Sequence, residues 1–503
     1  MSPRPRQRGC GALCLAMLLC GWQTHLVRAQ LGPEGAPITT SDYAVDLFRG
    51  PVLSTSRITG LGGAAVAIAE GVEGGLQNPA AVAARYIGSV EWWDYYLAFG
   101  LTYPLSTEDF YNSGKLFEQT GDLNAQSDFL FLTPGAYLQL GNFGMGLSLD
   151  YQQGAIRRQA GSTGGIDSGL ELSFTTARLQ LGYSMLDGQM QVGAGLRLVG
   201  QKAVARGPAL STTGEVYAES ASGLEGGIII RPNGRQWRLG ASLYGPVRKS
   251  LGTADRVTQI EQPGGGIDDF YLPQRIEQPW QGSIGAAWQI GPRPLNPRFT
   301  YVERFAAKEF AAIDAHESEI EWQYGRVIAA LPPTGGLEVE GRRQALTQDR
   351  ARWRKYFAWL RAQTYRRVWR TLRRRVRRGW SRKYLLISTE LMITGRVANA
   401  VGVESLLAGR VQRSGENISL SPRLGLESEV VPHWLKLRAG TYLEPSRFRN
   451  AGARLHGTFG VDLKIIQWDV FDLWPEDYLW QVSGALDFTP GYFALSVGIG
   501  GWY

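Results

Sequence analysis

Four histidines, at positions 25, 316, 433 and 456, are the first groups to weigh for chemistry in this 503-residue chain. They are scattered, and nothing in their spacing gathers metal ligands as a zinc site needs. Neither GxSxG nor HExxH occurs, so no hydrolase elbow or metalloprotease helix is written into the chain. His456 stands apart because Thr458 and Asp462 fall on the same side of an alternating stretch. An enzyme of a barrel surface would need a serine on an adjacent strand beside such a histidine. The simpler reading makes His456 and Asp462 polar lining of an interior. Asp268-Asp269 could hold a divalent ion, yet a loop pair of this kind is ordinarily solvated charge. No cofactor, no metal and no enzymatic activity are expected.

The second chemical candidate is GLGGAAVAIAEGVEGGLQNPAAVA, residues 60–83. A glycine-rich run can cradle phosphate, but no Lys-Ser/Thr follows and no βαβ pattern surrounds it. The same small residues suit a segment that must pass close to other backbones, where glycine tolerates near approach and positive φ. Pro79 drives Asn78 out of the helical region, and Asn78 can bond its own turn or a neighbouring wall.

What must hold these residues is legible in composition. Charged residues are only 19%, while 64 glycines stand beside 16 Trp, 21 Tyr and 18 Phe. Mean hydropathy is −0.17, and no uncharged apolar run reaches the ~18 residues of a spanning helix. Strands greasy on one side only would give this balance. The first 29 residues resemble an export signal, with Arg4, Arg6 and Arg8 before the apolar run 11–22 and small residues at Val27-Arg28-Ala29. Cleavage after Ala29 is expected; lipidation at Cys20 is the alternative. All three cysteines lie in this segment, so no disulfide is expected beyond it.

Alternation supplies the fold class. In 143–151, Phe143, Met145, Leu147, Leu149 and Tyr151 oppose Gly144, Gly146, Ser148 and Asp150. The period of two returns in 190–198, 418–426 and 435–443. The polar faces mix glycine with charge, and aromatic residues gather near strand ends, as at Trp92, Trp93, Trp468, Trp474, Tyr478 and Trp480. Tight turns at 141–142, 187–188 and 232–234 alternate with long connections at 104–126, 155–169, 204–217 and 249–278. These features predict an all-β transmembrane barrel of about fourteen antiparallel strands. Eight fall within 90–290 and six within 384–503. A terminal alternating strand ending in Trp502-Tyr503 suits recognition by barrel-assembly machinery.

With those residues in view, SRITGLGGAAVAIAEGVEGGLQNPAAVAARY (56–86) resembles the N-terminal signature of the FadL/TodX family of outer-membrane transport proteins. The resemblance implies a fourteen-stranded barrel in the outer membrane of a Gram-negative cell. It implies an N-terminal hatch inside the lumen and passive uptake of hydrophobic compounds, of the long-chain fatty acid or hydrocarbon class. Gly60, Gly62, Gly63, Asn78, Pro79 and Ala80 become the gating candidates. The alternative is a structural or secretion-associated barrel of the same fold. The division expected is 1–29 signal peptide, 30–87 hatch, 88–299 first barrel strands, 300–383 helical insertion and 384–503 last strands.

The insertion is the largest departure. Helical spacing runs over 303–331, ended by Pro332-Pro333, and again over about 342–378. Residues 342–383 hold seventeen Lys/Arg and one acid, Asp349. Taking +16 there and +4 in the first 29 residues from the total of +8 leaves −12 for the rest. Arg366, Arg367, Arg370, Arg373, Arg374 and Arg375 mark an envelope-contact helix, with anionic lipid or an envelope protein as partner and no nucleic acid. A packed hairpin, using Glu309, Asp314, Glu317, Glu319 and Glu321 of the first helix, is the alternative. The insertion is placed on the periplasmic side, with the short turns.

Overall fold

The computed structural model describes residues 31–501 except 86–88, 107–108, 115–123, 159–167, 207–214, 253–255, 262–266, 334, 379–380, 450 and 466–479. Residues 1–30, which include the expected export signal, Trp468, Trp474, Tyr478 and Trp502-Tyr503 lie outside the described residues.

Fourteen strands close into one barrel. The first eight are β1 (Trp93–Ser106), β2 (Asn124–Leu140), β3 (Phe143–Arg158), β4 (Ser168–Met185), β5 (Met190–Arg206), β6 (Glu215–Ile230), β7 (Trp237–Tyr244) and β8 (Gln281–Ile290). The last six are β9 (Leu385–Thr394), β10 (Ser419–Val431), β11 (Leu435–Glu444), β12 (Arg454–Lys464), β13 (Trp480–Thr489) and β14 (Tyr492–Gly501). Each pairs antiparallel with its neighbours in sequence, and β14 closes on β1 through Ala98↔Gly500. Closure leaves no unpaired edge, the condition for a sheet to sit in hydrocarbon.

The period of two holds around the wall. On β3, Phe143, Leu147 and Leu149 are exposed outward while Ser148 and Asp150 are buried inward. On β12, Leu455, Phe459 and Leu463 face out and His456, Thr458 and Asp462 face in. The described exterior of the wall is therefore an apolar belt, far more than a water-soluble surface carries. The chain is a membrane-spanning β-barrel.

β2 to β6 run 16 to 18 residues, well beyond the ~9–11 that cross a bilayer. Their surplus rises at the end of the long connections. There, Ala44–Asp46 lies between Arg275–Gln278 and Ala400–Val401, with Val247–Ser250 on the outer side of Arg275–Gln278. This small sheet was not expected; the sequence reading places 44–46 in the hatch, 247–248 at the end of a strand, and 249–278 and 400–401 in loops. Its strands are two to four residues long, too short for periodicity to register.

The insertion leaves the other end, between β8 and β9, with the tight turns. It forms a hairpin of α1 (Ala307–Ala329) and α2 (Leu337–Arg378). α2 starts five residues earlier than its spacing predicts, because Glu338 and Glu340 fill its first turn, where acids suit the helix dipole. No residue of α1 is buried. Phe305 and Val327, which fit the apolar spacing of the first helix, are exposed.

Candidate functional site

Residues 31–53 sit at the long-connection end, and 54–85 then thread the lumen towards the tight turns. Nearly every residue of the threading stretch is buried. Three short turns of helix organise it, Ser56–Gly60, Gly71–Gly75 and the 3-10 turn Pro79–Ala83. The expected gating residues all fall within this plug.

Glycine is required where plug and wall meet. Gly62 adopts φ +61°, and a Cβ there would stand 2.8 Å from the Thr441 nitrogen. Across the contact, a Cβ on Gly440 of β11 would stand 2.4 Å from the Gly62 nitrogen. Gly60 meets Gly460 of β12 the same way, its Cβ position 2.9 Å from the Gly460 Cα. Two backbones lie flush here, and no side chain fits between them. Gly63, at φ +76°, gives its carbonyl to Arg423 at 3.2 Å.

Asn78, Pro79 and Ala80 form the second anchor. Asn78 is extended, at φ −153° and ψ 115°, and its side chain accepts from the Ala80 N–H. Its amide nitrogen lies 3.0 Å from the Val66 carbonyl and 3.1 and 3.2 Å from those of Ile228 and Ala241 on β6 and β7. One side chain thus ties two parts of the plug to the wall. Pro79 opens the 3-10 turn and does not mark the exit from plug to wall, as its sequence position suggests. The chain leaves the lumen after Arg85, whose guanidinium clasps the Gly141 and Glu91 carbonyls at 2.8 Å each.

Charges complete the seating. Glu70 of the plug takes Arg238 at 2.6 Å and lies 3.6 Å from Arg231. Glu390 on β9 accepts the Ala65 and Val66 N–H groups at 3.0 and 2.9 Å. Arg57 of the plug stands 3.7 Å from Glu427, which also takes Arg438 at 2.7 Å. Asp462 lies in this same network, holding Arg438 by two 2.5 Å bonds.

His456 belongs to a separate cluster nearer the long-connection end. Nδ1 lies 2.7 Å from Asp487 and Nε2 2.6 Å from Glu444, and the ring stacks on Tyr442 with centroids 4.2 Å apart. Tyr442 donates to Asp487 at 2.7 Å and accepts the Val52 N–H at 3.1 Å. Both nitrogens are committed to carboxylates, and through Tyr442 the cluster ties the wall to residue 52.

The lumen is graded. In the middle and at the tight-turn end the plug's small apolar residues pack among polar and ionic wall side chains, whereas the long-connection end holds larger apolar clusters, with Phe110, Phe129 and Phe131 in one and Leu172, Phe174 and Tyr217 buried with residues 31–47 in another. Beside it, a cavity of about 500 Å3 opens at the wall among Leu455, Gly457, Phe488 and Phe493. The β12–β13 ladder ends there, at Gly457↔Phe488.

The hairpin carries the remaining candidates. Arg350 and Arg354 both bond Glu321, Arg361 bonds Asp314 and Glu317, and Arg367 bonds Glu309. Phe357, Val368 and Leu372 are buried, the last two against Val90 and Val302 at the barrel rim. Arg366, Arg370, Arg374 and Arg375 are exposed, and Arg373 lies over the Trp369 ring at 4.6 Å. The acidic and basic helices therefore zip together as a hairpin.

Hydrogen bonds from Arg354 and Arg350 hold the Glu321 carboxyl down from its ordinary 4.5 to about 2. A carboxylate lowered on folding contributes stability fully present above the unfolded value and lost as pH falls through the folded one. Titration of the α1–α2 contact, read by fluorescence of neighbouring Trp322, is expected to leave the hairpin zipped at pH 5. It should loosen between about pH 4 and 2, and at higher pH in strong salt, which screens exposed pairs. A midpoint above pH 5 in low salt would contradict the pairing.

The sequence reading missed most of the ionic seating. Glu70, Arg57, Arg238, Glu390, Glu427 and Arg438 carry no motif; for the four on the wall, Arg238, Glu390, Glu427 and Arg438, the one signal is charge on the inward phase of an otherwise greasy alternation. No protein-family model matches the chain, and no curated protein sequence is similar to it. Among solved structures, the chain is similar to the Pseudomonas putida toluene transporter TodX, at TM-score 0.48 and 11% identity over 90% of this chain and 98% of that one. It is similar to a Pseudomonas aeruginosa FadL homologue at TM-score 0.42 and 10% identity, over 93% and 98%. It is also similar to the CymD monoaromatic hydrocarbon channel at TM-score 0.46 and 10% identity, over 90% and 97%.

Proposed function

We propose that the protein is an outer-membrane channel for passive uptake of small hydrophobic compounds, with residues 54–85 as its hatch. The observation that carries this reading is the graded lumen. A greasy molecule meets an end whose Phe and Tyr side chains are packed into apolar clusters, in part with residues 31–47, and then a plug held by many individually modest polar ties. Apolar burial at the mouth favours capture, at roughly 25 cal/mol per Å2 removed from water. Passage further down on the β11 side requires the plug to shift, since backbone contacts at Gly62 and Gly440 leave no gap there. The export segment and the closed, greasy-walled barrel support a Gram-negative outer membrane as its location. The resemblance of residues 56–86 to FadL/TodX signatures supports the long-chain fatty acid or hydrocarbon class as cargo.

The second reading, a structural or secretion-associated barrel working through its hairpin, is favoured by one feature: α1 and α2 pack chiefly on each other and on residues 302–305 rather than on the barrel wall. Uptake of labelled long-chain fatty acid and of a labelled monoaromatic hydrocarbon, in cells lacking other such channels, separates the two. The channel reading expects uptake that depends on the protein and survives replacement of 307–378 by a short turn. No protein-dependent uptake of either compound would refute it.

A further inference from the structure

The hairpin leaves one face of α2 unused. Lys355, Tyr356, Trp359, Arg366, Arg370 and Arg374 recur at helical steps along 355–374 and are all exposed. Their counterparts on the opposite face do the folding, through buried Phe357, Val368 and Leu372 and through Arg350, Arg354 and Arg361 paired to α1. The free face is thus cationic with aromatic residues interleaved, a composition that hairpin formation does not require.

Its position is fixed by the rim. Trp369 donates to Glu91 at 3.0 Å, next to Trp92 and Trp93, both about half exposed. Exposed tryptophans at a strand start mark the height of the lipid headgroups. The last turns of α2, with Arg366, Arg370 and Arg374, therefore run within an arginine's reach of that level. Arginine also suits the ligand: its planar fork grips phosphate by two bonds, where lysine offers a point charge. A soluble polyanion would have to be recruited, whereas the bilayer surface stands beside this face in every inserted molecule.

We infer that this face docks on anionic phospholipid headgroups of the leaflet at the tight-turn end, holding the hairpin against the membrane. The inference rests on the membrane-barrel reading. It is independent of what the barrel transports.

The chain has no cysteine beyond residue 20, so Ala362→Cys, on the exposed flank of this face, gives one site for a fluorophore. The chain without residues 1–29, which hold all three native cysteines, would be placed in nanodiscs of phosphatidylcholine, or of phosphatidylcholine with one third phosphatidylglycerol, each with a headgroup-quencher lipid. Quenching is expected to be severalfold stronger with phosphatidylglycerol. Arg366→Gln, Arg370→Gln and Arg374→Gln together should weaken the anionic-lipid dependence on the order of tenfold or more, with helicity unchanged because no folding contact is removed. Equal, weak quenching in both discs would overturn the inference, as would full quenching in the triple variant. Saturable binding of inorganic polyphosphate without headgroup quenching would overturn it too and assign the face to a soluble polyanion. The heat-modifiable gel shift of the barrel reports insertion separately. Failure to enter either disc would sink the barrel reading and this inference with it.

Discussion

Replacing Arg438 by Met is expected to destabilise the folded protein by about 3–5 kcal/mol. The side chain is almost wholly buried on the inner face of β11 and is bonded to both oxygens of Asp462 and to Glu427. Methionine fills much of the volume, so the loss is electrostatic. Two carboxylates remain in a site shielded from water, with Arg57 at 3.7 Å from Glu427 as the nearer relief. Removing one partner of a buried pair costs far more than the pair contributes when intact, because the survivor keeps its desolvation penalty. Adding Asp462→Asn to Arg438→Met should return about 1–2 kcal/mol, a coupling of the size found for contacting residues. Urea unfolding in detergent micelles, followed by the gel shift between folded and unfolded barrel, measures both. A loss below about 1 kcal/mol for Arg438→Met would mean that water reaches the site.

Gly62→Val should unseat the hatch while the barrel still closes. The left-handed backbone at φ +61° costs a residue with a side chain roughly 1–2 kcal/mol. Overpacking a backbone contact adds about 1–3 kcal/mol more, since a Cβ at 2.8 Å from Thr441 meets main chain that the β11 ladder holds in place. The strand ladders do not depend on residue 62, so the heat-modifiable shift should persist. Displacement of the plug from β11 should raise single-channel conductance and sensitivity to bulky antibiotics by severalfold or more. Wild-type conductance in a correctly inserted Gly62→Val barrel would show that the plug does not close the lumen.

How much of this was legible from the sequence differs by element. Every strand of the wall announces itself, because hydrocarbon outside and a packed lumen inside force strict alternation. Leu147 beside Ser148 or Leu463 beside Asp462 is sufficient signal. The hatch was legible for a related reason: backbone packed on backbone needs small residues, hence Gly60, Gly62 and Gly63. Asn78 could be singled out beside Pro79, but its wall partners could not. Ile228 and Ala241 lie 150 and 163 residues away, and register across a barrel is set by closure rather than local pattern. The same distance hides the pairing of Glu70 with Arg238. The sheet built on Ala44–Asp46 is invisible for another reason, as three residues carry no period.

The hairpin was readable in outline from charge. An acidic helix before a basic one predicts zipping, and Glu321 with Arg350 and Arg354 delivers it. Its thin interior was not readable, since apolar spacing on α1 suggests a buried stripe and none of its residues is buried. Short electrostatic ties across a two-helix contact replace the core that a third helix would supply.

Movement of the plug during uptake is the step on which the transport account turns, and a reversible covalent tie tests it. A Cβ at Gly100 of β1 would stand 3.8 Å from the Thr55 Cβ, close to the mean separation of about 3.8 Å across a disulfide. Thr55→Cys with Gly100→Cys therefore ties the top of the hatch to the wall with little distortion. The account predicts that oxidised cells lose uptake of the hydrophobic compound tenfold or more and regain it on reduction, with each single variant near wild type. Full uptake through the oxidised, crosslinked protein would contradict it.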